Sequence, residues 1–128
     1  MMEFKLFGRP ITKKNSQRIV TIGGRARIIP SAAYKEYHAY CLTQLAINGV
    51  QRTKIDVPVN LRCVYYMPTR HKVDLVNLLE ATCDILVDAE ILADDNSKIV
   101  AGHDGSRVEY DKYNPRVEIT ITPMNMEV

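Results

Sequence analysis

At 128 residues the chain has the length of one ordinary domain, and residues 1–128 are expected to form a single unit. Hydrophobic residues at 46% and charged residues at 25% exclude a disordered tail or a collagen-like chain. The net charge of +2 is unevenly spread: residues 1–72 balance to +10, residues 73–97 to −7 and residues 98–128 to −1.

The first residues, Met1-Met2-Glu3-Phe4-Lys5, lack the apolar stretch of a secretory signal. No run reaches the roughly 20 apolar residues that cross a bilayer. The cytoplasm is the expected compartment. Glu3 to Gly8 reads as a first strand, broken by Gly8-Arg9-Pro10. Thr12 to Arg18 is polar, basic and without periodicity, so a loop is expected there. Arg18–Ile22 and Arg25–Ile29 are β-prone runs joined by Gly23-Gly24, a hairpin signal because glycine supplies the positive φ of a primed turn. A helix follows from Ala32 to Asn48, with Ser31 as N-cap and Gly49 just past its end. Tyr34, Tyr37, Cys41 and Leu45 form its core face, with Ala46 or Asn48 continuing it.

Asp56 to Met67 alternates and reads as a strand; Pro68 to Lys72 is a basic connector. A second helix is expected from about Leu75 to Val87, then strands at Ile99–His103 and Arg116–Thr122, with Asp104 to Arg107 read as a turn. Met124 to Val128 reads as a frayed end. The order defines an α+β domain: a mixed sheet packed with two main helices, preceded by the basic loop and hairpin. Cys41, Cys63 and Cys83 form no Cys-x-x-Cys pair and read as buried thiols, and His38, His71 and His103 lack zinc-protease spacing.

The stretch Asp74 to Leu86 carries the most chemistry. At about 100° per residue, Leu75, Leu78, Leu79, Thr82, Ile85 and Leu86 fall on one side of a helix. Asn77, Glu80, Asp84 and Asp88 fall on the other, with Asp74 at the N-cap. Packing of the apolar side would hold the acids rigidly at the surface, as a metal site needs. The same stripe also suits a solvated helix face, the reading given to Asp88. Asp94-Asp95-Asn96-Ser97 follows as a turn. Its acids converge on Asp74 only if the next strand returns beside the helix N-terminus. Carboxylates suit a hard cation such as Mg²⁺. Alone they repel phosphate; a divalent cation reverses the local sign, and the basic flanks then suit a polyanion.

Four segments in order, Gly8-Arg9-Pro10-Ile11-Thr12-Lys13-Lys14, Asp74 to Leu86, Asp94-Asp95-Asn96-Ser97-Lys98-Ile99 and Pro115-Arg116-Val117-Glu118-Ile119-Thr120-Ile121, resemble the RusA-type Holliday-junction resolvases. The resemblance spans nearly the whole chain. It implies a small homodimeric α+β endonuclease, often of phage or prophage origin. Such an enzyme uses Mg²⁺, with Mn²⁺ as a substitute, to cut four-way DNA junctions symmetrically in recombination and repair. Branched DNA is then the partner, with no membrane and no small-molecule substrate.

Two positions depart from the family pattern. Val76 stands where Asp-Leu-Asp-Asn-Leu places its second Asp, and Glu80 stands where Lys is frequent. In one reading Glu80 restores the lost carboxylate, and Asp74, Glu80 and Asp95, with Asp94, are the metal-binding and catalytic acids. Asn77 and Asp84 would then orient ligands or waters. In the other, Val76 marks a weakened or inactive member that still binds DNA. Phosphate contacts are expected from Lys13, Lys14, Asn15, Gln17, Arg18, Arg25, Arg27, Arg70, Lys72 and Lys98.

Overall fold

The fold is organised by strand β4 (Val59–Met67), whose alternate residues Val59, Leu61, Cys63, Tyr65 and Met67 are buried. In the computed structural model, which describes residues 1–13 and 17–124, this strand lies within a five-stranded mixed sheet. Strand β7 (Arg116–Pro123) pairs antiparallel with one edge of β4, and β1 (Met2–Phe7) adds outside β7. Two short strands share the other edge, both parallel to β4. Strand β5 (Val100–Gly102) lies beside its start and β6 (Arg107–Tyr110) beside its end.

Helices α1 (Ala32–Ile47) and α2 (Leu75–Asp88) share one core with the buried face of β4 and with Leu6, Val117, Ile119 and Ile121. The opposite sheet face is half-exposed and polar at Asn60, Arg62 and Tyr66. Ser31 caps α1, its Oγ accepting from the Tyr34 N–H at 3.2 Å. Tyr34, Tyr37, Cys41 and Leu45 are buried as expected, but Ala46 and Asn48 are exposed. The buried face instead gains Gln44, whose amide exchanges two hydrogen bonds with the backbone of Phe7 and ties α1 to β1.

The hairpin forms as the glycines require. Strands β2 (Gln17–Ile22) and β3 (Arg25–Pro30) pair around Gly23 and Gly24, whose φ values are +59° and +76°. It is a separate two-stranded sheet, with Ile19, Ile22 and Ile28 exposed. Cys41, Cys63 and Cys83 are buried free thiols. Burial pushes the Cys63 and Cys83 thiols up to about 12 and the Cys41 thiol up to about 11, which keeps all three inert.

Two elements differ from the sequence reading by more than a residue at an end. β4 begins at Val59 rather than Asp56, with Val57 54% exposed; Pro58 has no N–H to give a ladder. Arg107 to Tyr110 is a strand rather than the continuation of a turn. At the other end of the chain, Met124 is tied down, its N–H donating to the Pro58 carbonyl at 3.0 Å, while residues 125–128 lie outside the described part.

Candidate functional site

Helix α2 carries most of the acids, and its packing decides where they point. Leu78, Leu79, Ala81, Thr82, Cys83, Ile85 and Leu86 are buried, which leaves Glu80 and Asp88 exposed and Asp84 half-buried. Inside the core, the Thr82 hydroxyl donates to the Leu78 carbonyl and accepts from the Tyr65 hydroxyl at 2.6 Å. This fixes the rotation of α2 on β4. The helix ends in a left-handed residue, Glu90 (φ 61°), with the Ile91 N–H returning to the Leu86 carbonyl. The chain then reverses, and Lys54 and Ile55 donate to the carbonyls of Glu90 and Ile91. The Asp94-Asp95 turn is thereby held at the C-terminal end of α2.

There the acids meet. A cavity of about 610 Å³ is lined by Asp84 and Asp88 of α2, Asp94 and Asp95 of the turn, Tyr34, Lys35 and His38 of α1, and Lys13. Within the turn, Asp94 accepts from the Asp95 N–H at 2.7 Å and from the Asn96 side chain at 3.1 Å. Those bonds hold its carboxyl below the usual range. Asp94 therefore shapes the turn and aims its neighbour. Asp84 has the opposite environment. Burial pushes its carboxyl up, Lys13 opposes that, and Asp95, Glu80 and Asp88 add to it. The far wall is braced across helices: His38 Nε2 lies 2.7 Å from Asp88 Oδ2, and Tyr34 Oη lies 3.4 Å from His38 Nδ1.

Asp74 stands apart. It caps α2, accepting from the Val76 N–H at 2.9 Å and from the Asn77 N–H at 3.4 Å. Ten residues separate it from Asp84, about 15 Å of helix. It does not line the acidic cavity. β5 pairs with the start of β4, so the turn returns to the far end of α2 and not beside its N-terminus. Near Asp74 lies a basic cleft lined by Arg9, His71 and Lys72, among others. Val76 is 68% exposed on the first turn of α2.

Of the expected phosphate contacts, Lys13 lines the cavity, Lys72 the cleft, and Arg25 and Arg27 are exposed on β3. Arg70 lies over the Tyr110 ring at 4.1 Å, and Lys98 is exposed just after the acidic turn. Lys14, Asn15 and the side chains of Gln17 and Arg18 lie outside the described residues. Sequence reasoning missed His38, Tyr34 and Lys35 as cavity residues and set Asp88 aside. The recurrence of Asp84 and Asp88 at four-residue spacing was the available signal.

The donors of the cavity fit a hard divalent cation in chemistry: all four acids offer carboxylate oxygens, and positive charge there would relieve Asp84. Among the described residues, no three His, Cys, Asp or Glu side chains are gathered into a ready-made metal cage. The fit is to a largely hydrated ion held by one or two carboxylates, which is the habit of Mg²⁺. No described helix is long and apolar enough to cross a membrane.

Residues 8–122 match the family model for the endodeoxyribonuclease RusA. The match covers most of the chain, and the protein belongs to the RusA endodeoxyribonuclease family. A comparison with curated proteins finds no match.

Proposed function

We propose that this protein is a Mg²⁺-dependent endonuclease that resolves four-way DNA junctions during recombination and repair, acting as a homodimer. The observation that carries the reading is the convergence of Asp84 and Asp95, from separate elements, on one cavity beside Lys13, in a chain of this family. Asp95 and Asp84 would hold the ion in the cavity, with Asp94 orienting its water shell and Glu80, exposed one turn before Asp84 on α2, reaching it from the rim. When bound, Mg²⁺ or Mn²⁺ would supply an activated water and charge neutralisation at the phosphate. Lys13 and Lys35 would draw the phosphate to the acids and hold it there. Arg25, Arg27, Arg70, Lys72 and Lys98 would position the duplex arms without reading sequence. Lys14, Asn15, Gln17 and Arg18 would add further phosphate contacts. Asp74 would act at the N-terminal end of α2, where the cap and the basic cleft adjoin. A two-fold dimer presents two equal cavities to two like strands, which symmetric cutting requires.

A second reading has an observation of its own. Val76 puts an exposed apolar side chain where the family pattern has an acid, which suits a member that binds junctions without cutting them. One assay separates the two. A labelled synthetic junction is incubated with wild type, Asp95→Asn and Glu80→Gln in Mg²⁺ and in Mn²⁺. Paired nicks from wild type alone support the nuclease. Salt-dependent binding with no product in either metal supports the binding protein.

A further inference from the structure

We propose that the recess where β4 and β6 end side by side is a binding pocket for an unstacked DNA base at the branch point. This rests on the junction reading above and names the part of the junction that this face takes. Open sheets bind ligands outside the carboxyl ends of parallel strands, and β4 and β6 are such a pair, with Met67 opposite Tyr110.

The recess has a volume of about 380 Å³ and is lined by Thr69, Arg70, His71, Val108, Glu109 and Tyr110. Val108 and Tyr110 give it one open apolar side, 37% and 39% exposed, and the Glu109 carboxylate between them is paired with Arg107 at 2.6 Å. Arg70 lies 4.1 Å from the centre of the Tyr110 ring, so a planar cation and an aromatic ring already form one half of a stack. Among the described residues, no carboxylate forms an ion pair with Arg70 or Lys72. Their charge is open to a phosphate.

The turn beyond β6 is rigid and follows directly on Tyr110. Asp111 accepts from the N–H groups of Tyr113 and Asn114, both at 3.1 Å, and from Arg116 at 2.9 Å. The Arg116 bond and those two N–H groups keep the Asp111 carboxyl ionised and the turn fixed. Tyr113 is thereby held out at 89% exposure, with the Lys112 ammonium 5.6 Å from its ring centre. In the recess, the Tyr110 ring beside the Arg70 cation forms a platform for an unpaired base. It tolerates any sequence because every base has a π face. Paired bases inside the arms cannot reach it; bases at the open centre of a junction can.

The test uses the full chain and a four-way junction with 2-aminopurine at one branch-point position, titrated in EDTA so that no strand is cut. A second junction carries the probe in the middle of an arm. Wild type should change the branch-point emission and leave the arm probe unchanged. Tyr110→Ala should abolish that response and weaken junction binding about tenfold. Tyr110→Phe, which keeps the ring, should restore the response and confirms that loss of the fold is not the cause. Junction binding with an unchanged probe overturns the pocket and leaves the junction reading standing. Absence of junction binding overturns both. If Tyr110→Ala instead converts a dimer to monomer in sedimentation, the face belongs to a second copy of the chain and the pocket is overturned.

Discussion

His38 Nε2 and Asp88 Oδ2 lie 2.7 Å apart and join α1 to the last turn of α2, on the wall of the acidic cavity. The bond is partly open to water, since the Asp88 side chain is 58% exposed and that of His38 19%. Its contribution is therefore modest. His38→Ala should lower stability by about 1 kcal/mol, read as a lower urea midpoint. It should also raise the Mg²⁺ concentration needed for cleavage, because the α1–α2 seam forms one side of the site. An unchanged midpoint would show that the bond holds nothing together.

Asp84 links stability to function with a definite sign. Its carboxyl is raised from 3.8, first by burial and then by its acidic neighbours. A raised acid is more easily protonated in the folded state than in the unfolded one, so its ionised form costs stability. That cost is full at neutral pH and vanishes as pH falls through the folded value towards and below 3.8. Asp84→Asn should therefore be more stable than wild type at pH 7 in EDTA. The gap should close in acid. The same variant should cut junctions more slowly, because an amide replaces a cavity carboxylate. Equal stability at pH 7 would contradict the burial argument.

These two residues also show what the sequence could and could not carry. α2 was legible because its apolar residues recur at helical spacing over fourteen positions and Asp74 marks its start. The Gly23-Gly24 turn was legible because few other residue pairs accept two positive φ values in succession. β6 was not, because it is four residues long, exposed throughout and held by a parallel partner that lies 43 residues earlier in the chain. Pairing decides the site as well. The sequence shows Asp94-Asp95 after a helix, but only the pairing of β5 with the start of β4 places them against Asp84 and far from Asp74. His38 looks isolated in the sequence because its partner, Asp88, lies fifty residues away.

The Tyr65–Thr82 bond predicts an asymmetry. The Tyr65 hydroxyl donates to Thr82 Oγ1, which in turn donates to the Leu78 carbonyl, all of it buried. Tyr65→Phe removes the outer donor and leaves Thr82 bonded to Leu78, so it should cost about 0.5–1.5 kcal/mol. Thr82→Val leaves the buried Tyr65 hydroxyl with only the Cys63 thiol, a weak partner, so it should cost about 1–3 kcal/mol. Paired urea titrations decide the order. If Tyr65→Phe proves the more harmful, the bond does not orient α2 as described.

Asp74 raises a question that substitution can divide. Its carboxylate caps α2 through the Val76 and Asn77 N–H groups, and the family reading also gives it a place in catalysis. Serine caps a helix about as well as aspartate, whereas alanine loses about 1 kcal/mol there. Asp74→Ser should therefore unfold at the wild-type urea concentration, and Asp74→Ala below it. A purely capping residue would leave Asp74→Ser cutting junctions at the wild-type rate. A residue that acts on the metal or the phosphate needs its negative charge, which serine lacks. We expect Asp74→Ser to fold normally, bind junctions and lose cleavage by at least about 100-fold, in the range of other lost charge-stabilising groups. Full activity in that variant would confine Asp74 to the helix and leave the cavity at the other end of α2 to act without it.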